Sequence, residues 1–227
     1  MRTLYEIGLA DSDIRPSPYC WIAKFALLHK GLAFETALVG FSAKQNYPDP
    51  DYGKVPVLID GGEMIRDSAA IMDYLDAKYA SRPLCDGAST LSAASFFSAW
   101  AGAALYPALG PMSMQPLFAA ASAADQAYIS ETFTARTGMK VDDYAAGPDA
   151  EKKVEAALHL LATPLATHPF LGGGAPNRSD YVVFAPLMWA RVASAEELYV
   201  APQPVASWIE RMLDLYDGYA RKAKRIA

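Results

Sequence analysis

The sequence predicts an α/β N-terminal half, with a four-stranded mixed sheet between helices, followed by an all-α C-terminal half. The first eighty residues alternate short β-prone runs with helix-spaced segments, in the order β-α-β and then β-β-α. After Tyr79 the composition changes to Ala- and Ser-rich sequence with helical spacing and no convincing strand. We therefore place two domains at residues 1–80 and 90–227.

The first elements form a βαβ unit. Residues 3–9 and 34–41 are short β-prone runs on either side of a helix-spaced segment. Ser17 is a suitable N-cap with Pro18 at the first helical position, and Gly31 is a stop signal. The segment between the two runs is therefore a helix with defined ends.

The next elements form a β-hairpin followed by a helix. Residues 42–53 are irregular and lead to the strand sequence V-P-V-L-I-D, a G-G turn and the strand sequence E-M-I-R. An amphipathic helix begins at Asp67. These elements complete the predicted sheet.

The second half predicts five helices. Asn177 and Asp180 form a capping box, which indicates a contribution to folding. The prolines at 107–111 predict a break or kink in the first helix. The predicted helices are residues 90–120, 123–146, 150–167, 178–194 and 204–222.

The composition favours a globular protein with a small or neutral partner. The net charge of −5 and pI near 5.2 argue against nucleic acid and against an anionic membrane surface. The N-terminus lacks the apolar core of a signal peptide, and the longest apolar run is too short to span a bilayer, so we expect a cytoplasmic protein. Cys20 and Cys85 provide neither a disulfide framework nor a zinc quartet, and we expect no metal.

The segment S-P-Y-C, Ser17 to Cys20, resembles the dithiol redox motif C-P-Y-C with its first cysteine replaced. Ser17 is either an ordinary N-cap or a hydroxyl that donates to an anion held at the helix start, such as the thiolate of a bound cofactor. Cys20 is more commonly a small buried residue than a reactive one. A redox interpretation would require Cys20 as the nucleophile, although the activated position of C-x-x-C is the first.

Two further segments fit a peptide-like ligand. Pro56 is either an ordinary edge-strand proline or a turn, with a cis bond, that exposes the Val55 backbone N–H and C=O for docking a peptide. Asp67 and Ser68 either cap their helix or bind a ligand, the helix start with Ser68 holding a carboxylate and Asp67 an ammonium. A γ-glutamyl end carries both charges on one carbon.

Large apolar side chains around the first helix of the second half are either ordinary core or the wall of an aromatic substrate site. Tyr19 and Trp21 are expected to face this wall from the first helix. The other candidates are Trp100, Tyr106, Met112, Met114 and Phe118.

In this order, the segments S-P-Y, G-K-V-P-V-L-I-D, D-S-A-A-I-M-D-Y-L and N-R-S-D-Y resemble those of cytosolic glutathione S-transferases. The resemblance covers nearly the whole chain. It implies a thioredoxin-like N-terminal domain, a helical C-terminal domain, glutathione as cofactor and a homodimer. The segments S-P-Y-C-W-I-A-K-F-A-L-L-H-K-G, L-D-A-K-Y-A-S-R-P and S-W-I-E-R-M-L-D-L-Y-D-G are similar to the bacterial branch containing β-aryl etherases and to related fungal transferases.

The resemblance also implies roles for single residues. Ser17 matches the serine that stabilises the glutathione thiolate, and Val55 would bond the cysteinyl backbone, with Pro56 as the cis-proline. The thiolate would attack a small hydrophobic or aromatic electrophile, and an aryl-ether leaving group would make the reaction ether cleavage. A thiol-disulfide oxidoreductase and a non-catalytic interaction module with the same fold remain alternatives.

For the two ends of glutathione, the resemblance implies four further contacts. Asp67 and Ser68 would hold the γ-glutamyl head, although the family often has Glu at the position of Asp67. Lys54 would approach the glycine carboxylate, and Lys44 is a second candidate for that role.

Overall fold

A computed structural model describes all residues, 1–227. The N-terminal half contains one sheet in the strand order β2-β1-β3-β4, with β1 and β2 parallel and the other pairs antiparallel. This confirms the predicted mixed sheet and the thioredoxin-like arrangement. Its elements are β1 Arg2–Ile7, α1 Pro18–His29, β2 Glu35–Val39, β3 Val57–Asp60, β4 Glu63–Arg66 and α2 Ser68–Lys78.

The C-terminal half is helical, as predicted. An isolated bridge joins Phe170 and Gly173, and short 3₁₀ turns cover Lys44–Asn46 and Val141–Asp143. The helices are α3 Ala88–Trp100, α4 Tyr106–Ala119, α5 Ala123–Thr137, α6 Ala150–His159, α7 Ala162–Leu165, α8 Arg178–Ala193 and α9 Val205–Gly218.

Four predicted helices are divided or shortened, and the one predicted over 204–222 ends at Gly218. The helix predicted to reach residue 146 ends at Thr137, because Gly138 adopts a left-handed φ of 72° and closes the helix. The helix predicted over 150–167 is divided into α6 and α7. The break in the first helix lies at a π-helical turn, Ala101–Leu105, before the prolines themselves.

Pro107 explains the position of this π turn. A proline lacks the N–H that would bond the carbonyl four residues earlier, and its ring collides with that carbonyl. The helix widens over Ala101–Leu105 and resumes as α4 with Pro107 in its first turn. Pro111 and Pro116 lie inside α4 without ending it.

Helix α8 forms the centre of the molecule and packs against α1, α3 and α4. Its predicted capping box between Asn177 and Asp180 is present. Most of its residues are buried in a hydrophobic core shared by the two halves. The helix therefore fixes the helical half against the face of the sheet covered by α1.

The strand register brings the three candidate segments to one edge of the sheet. Tyr5 pairs with Val57, and Val57 pairs with Arg66. Consequently the end of β1, the start of β3 and the end of β4 lie side by side. The chain after β1 leads to Ser17, so all three segments border the same edge.

Candidate functional site

Ser17 caps helix α1 and leaves hydrogen-bonding capacity for a ligand. Its Oγ accepts a hydrogen bond from the Cys20 backbone N–H at 3.3 Å, and Pro18 follows at the first helical position. A hydroxyl that accepts one bond can still donate its own hydrogen. The Tyr19 backbone N–H makes no hydrogen bond within the chain. This helix start therefore offers two donors to an anion, supported by the helix dipole.

The Val55–Pro56 peptide bond is cis, and it precedes β3. Neither the N–H nor the C=O of Val55 makes a hydrogen bond within the chain. The adjacent Pro56 carbonyl accepts from the Asp67 N–H at 3.2 Å, which joins this segment to the start of α2. Val55 thus presents a free donor and acceptor at the sheet edge.

Asp67 is the N-cap of α2, and its carboxylate accepts from the Ala69 N–H at 2.8 Å. Its φ of 74° is unusual for a residue other than glycine. The Asp67 side chain is exposed, whereas Ser68 is buried. Pro56, Asp67 and Ser68 lie beside the cavity described next and do not line it.

A cavity of about 860 Å³ lies between the sheet edge and the helical half. Ser17, Lys44, Lys54 and Val55 line it from the N-terminal half. Most of the remaining lining is aromatic or aliphatic. A large apolar cavity with a few polar groups along one side is typical of a site for a small organic ligand.

Four of the predicted wall residues line this cavity, namely Tyr19, Tyr106, Met114 and Phe118. The Tyr19 ring stacks on the Tyr106 ring, with centroids 5.8 Å apart and an interplanar angle of 13°. This stack joins the start of α1 to the start of α4 across the cavity. Because the π turn immediately precedes Tyr106, it sets the direction of this side chain.

The expectation that Trp21 lines the wall is wrong. Residues two apart on a helix point in nearly opposite directions, so Trp21 faces away from Tyr19. Trp21 is 2% exposed, its indole N–H donates to the Arg15 carbonyl at 2.9 Å, and the Lys24 ammonium lies 3.7 Å from its ring centroid. It belongs to the core behind α1.

Trp100 and Met112 also lie outside the cavity lining. Both are partly buried and pack against the hydrophobic core. Trp100 ends α3 before the π turn, and Met112 lies two residues from Met114 on a different face of α4. For these two residues, core packing is the correct interpretation.

The sequence-based prediction missed the contribution of α5 to the cavity. One face of this helix lines it, through residues spaced at one, four, five and eight positions from the first. This spacing is the pattern of a helical face and could have identified them. They are Tyr128, Ile129, Thr132, Phe133 and Arg136. Tyr144 and Trp189 also line the cavity.

The charged groups of the cavity lining are all cations. They are Lys44, Lys54 and Arg136, in a chain whose net charge is −5. The Lys44 ammonium donates to the Gly53 carbonyl at 2.7 Å and lies 4.7 Å from the centroid of the Tyr128 ring. Lys54 is exposed and makes no ion pair. The cavity is therefore suited to an anionic ligand.

Cys20 faces the interior behind α1. The residue has no exposed surface, and burial raises the pKa of its thiol to about 12. Nearby, the Lys24 ammonium and the Glu6 carboxylate form a buried ion pair at 2.8 Å. The thiol is thus neutral at physiological pH and has no access to the cavity.

Comparison with known proteins agrees with this geometry. The model of the glutathione S-transferase N-terminal domain matches residues 12–83, and that of the C-terminal domain matches residues 92–210. The chain belongs to the glutathione S-transferase family.

Solved transferases share the fold over nearly the full length. A glutathione transferase of Phanerochaete chrysosporium has a TM-score of 0.75 at 21% identity, with 96% of this chain and 92% of that chain covered. A glutathione S-transferase of Ceriporiopsis subvermispora, whose structure is a complex with glutathione, has a TM-score of 0.74 at 22% identity, with 98% and 94% covered.

A sequence relative matches over a shorter range. A glutathione S-transferase of Arabidopsis thaliana is 40% identical over 65 residues, which cover 26% of this chain and 30% of that protein. None of the helices of this transferase is both long and apolar enough to cross a bilayer.

Proposed function

We propose that this protein is a serine-type glutathione transferase whose substrates are aromatic electrophiles. The observation that carries the proposal is the arrangement of Ser17, the free Tyr19 N–H and the free Val55 backbone pair along one side of an aromatic cavity. Glutathione fits these groups because it is a peptide with a thiol at its centre and carboxylates at both ends.

The N-terminal residues would bind and orient glutathione. Val55 pairs with the cysteinyl backbone as a neighbouring strand would. Asp67 and Ser68, at the start of α2, hold the γ-glutamyl head, with Asp67 accepting from its ammonium group. Lys54 and Lys44 attract the glycine carboxylate. Together these contacts place the sulfur next to Ser17.

Ser17 and the start of α1 then stabilise negative charge at the sulfur. The Ser17 hydroxyl and the Tyr19 N–H donate to the thiolate, and the helix dipole adds a favourable field, so the pKa of the bound thiol falls. Glutathione supplies the nucleophilic sulfur, which attacks an electrophilic carbon. The aromatic lining holds that carbon in place, and the gain is one of proximity and electrostatics.

Substitution of Ser17 by Ala tests this assignment. We expect kcat/KM with an aromatic halide to fall about 100-fold, as for loss of one donor to a developing or bound anion. The pKa of the bound thiol, measured by thiolate absorbance in the enzyme–glutathione complex, should rise. Loss of the N-cap should also lower the stability by about 1 kcal/mol.

Ser122→Ala is the matched control. Ser122 caps α5 through the equivalent hydrogen bond, in which its Oγ accepts from the Asp125 N–H at 3.2 Å. It should lose similar stability and keep its turnover. Equal turnover in wild type and Ser17→Ala, with no change in thiol pKa, would contradict the role of Ser17.

β-Aryl ether cleavage is the second candidate reaction. The cavity volume of about 860 Å³ and its aromatic lining suit a substrate with two rings. Release of a phenol from either enantiomer of a β-aryl ether ketone, dependent on glutathione and on Ser17, would establish it. Absence of glutathione binding by calorimetry would instead favour a non-catalytic interaction module.

We also propose a cytoplasmic homodimer. Two free cysteines and no disulfide suit a reducing compartment. Helix α3 buries only Ala94 within the chain and exposes Phe96 and Leu91, which are 65% and 44% accessible. Contact with a second copy would cover these side chains. Light scattering gives the solution mass that distinguishes monomer from dimer.

A further inference from the structure

Arg136 is the one cationic residue of the cavity lining that the proposed glutathione contacts leave without a role. It lies in the last turn of α5, on the face that lines the cavity. Tyr128, on the same face, lies beside Lys44. Eight residues separate Tyr128 from Arg136, which is about 12 Å along the helix axis. Arg136 therefore lies toward the far end of the cavity from this lysine.

The guanidinium of Arg136 has no internal partner. It makes no ion pair and no hydrogen bond within the chain, and no carboxylate lines the cavity. Its group lies 5.7 Å from the centroid of the Phe133 ring. An aromatic face holds a guanidinium in place without neutralising its charge, so the five N–H donors stay available.

The surroundings of Arg136 are suited to an aromatic ring. The Phe133 and Tyr144 rings lie 5.2 Å apart by their centroids, and both line the cavity. Gly110 makes room for Tyr144, since a Cβ at position 110 would lie 2.5 Å from the Tyr144 hydroxyl. An aromatic pocket thus adjoins an unpaired guanidinium, which binds a carboxylate through two parallel hydrogen bonds.

We propose that Arg136 binds a carboxylate on the electrophile, so that the enzyme prefers aromatic acids to neutral aromatic compounds of the same shape. This proposal rests on the proposed transferase function, because the aromatic acid is the electrophile of that reaction. In the proposed complex, the carbon that the glutathione sulfur attacks and the carboxylate lie at opposite ends of the electrophile. Arg136 is therefore a specificity-determining residue and takes no part in activating the thiol.

A matched pair of electrophiles tests the preference. 4-Chloro-3,5-dinitrobenzoate and its methyl ester react with glutathione in the same way. The thiolate forms the new C–S bond, chloride leaves with the electrons of the C–Cl bond, and the thiol proton passes to solvent. For Arg136→Met we expect KM for the acid to rise about fivefold, as for an exposed charge-assisted contact, with little change in kcat. KM for the ester should stay within twofold.

Lys140→Met is the control. Lys140 is exposed, lies four residues beyond Arg136 and does not line the cavity, so this variant removes the same charge from the same region. In this control, the ratio of KM for the acid to KM for the ester should equal that of the wild type. Arg136→Lys should retain part of the preference for the acid. The proposal is overturned if Arg136→Met and Lys140→Met have the same ratio.

A binding measurement separates this proposal from the proposed function. Naphthalene-2-carboxylate and its carboxamide do not react with thiols. Their binding should quench the fluorescence of Trp189, which lines the cavity. The wild type should bind the carboxylate about fivefold more tightly than the amide, less so at high salt, and Arg136→Met should bind both equally. Equal binding by the wild type overturns the proposal, even if both chlorodinitrobenzoates are conjugated. Arg136-dependent preference without any conjugation supports it and contradicts the transferase function instead.

Discussion

Ser17 and Cys20 lie three residues apart at the start of α1, and burial gives them different chemistry. Ser17 lines the cavity, whereas Cys20 has no exposed surface. Burial is the main cause that raises the pKa of the Cys20 thiol to about 12, and the nearby Glu6 carboxylate contributes in the same direction. At pH 8 the thiolate fraction is then roughly a thousandfold below that of a thiol with a pKa near 9. This argues against the oxidoreductase interpretation of S-P-Y-C.

We therefore predict that Cys20 resists modification in the folded protein. In a Cys85→Ala background, which leaves one thiol, an aromatic disulfide reagent at pH 8 should modify Cys20 only after denaturant is added. Cys20→Ala should keep transferase turnover within about twofold, because the thiol touches no part of the cavity. Rapid modification of native Cys20, or disulfide reductase activity that Cys20→Ala abolishes, would revive the redox interpretation.

At the scale of elements, the start of α8 is held by one buried carboxylate. Asp180 has no exposed surface and accepts four hydrogen bonds. Three come from the backbone N–H groups of Leu171, Gly172 and Asn177 at 2.8, 2.9 and 3.0 Å. The fourth comes from the Trp208 indole at 2.8 Å. The capping box thus also joins α8 to α9 and to the preceding loop.

Asp180→Ala should therefore destabilise the protein by at least about 3 kcal/mol. The substitution leaves four buried donors without an acceptor, and each such donor costs about 1–3 kcal/mol. Urea unfolding followed by tryptophan fluorescence measures the change. Asn177→Ala removes only the N-cap side chain that accepts from the Ser179 N–H. It should cost only about 1 kcal/mol. Similar losses in the two variants would contradict the central role of Asp180.

The sequence predicts best those elements whose formation depends on residues close together in the chain. Caps and turns act within a few residues, so the N-caps Ser17, Asp67 and Asn177 could be identified from the sequence. Membership of the cavity wall depends on how helices dock. The approach of α5 was therefore missed, although its helical spacing is visible. Trp21 was misplaced because a two-residue step on a helix reverses direction, which the apolar composition of the segment does not show.

In the molecule as a whole, α5 also connects the two halves on one side of the cavity. Asp125 is buried, and its Oδ1 accepts from the backbone N–H and the hydroxyl of Ser42, both at 2.7 Å. Gly40 permits this approach, since a Cβ there would lie 3.1 Å from the Asp125 carboxylate. The segment after β2 continues to Lys44, which lies over Tyr128 of the same helix. The helical half thus positions a residue proposed to bind glutathione.

Asp125→Ala should consequently weaken glutathione binding more than it slows the reaction. Two hydrogen bonds to a buried carboxylate are lost, and each is worth about 1.5–3 kcal/mol, so the segment carrying Lys44 is released from α5. Ser17 and the start of α1 are untouched, and the bound thiol should keep its pKa. We expect KM for glutathione to rise about tenfold with kcat within threefold of wild type, measured with a saturating aromatic halide. Asp142→Ala, which removes an exposed carboxylate after α5, should change neither constant. A fall in kcat at unchanged KM would show that the link between the halves acts on the reacting sulfur and not on the glycine end of glutathione.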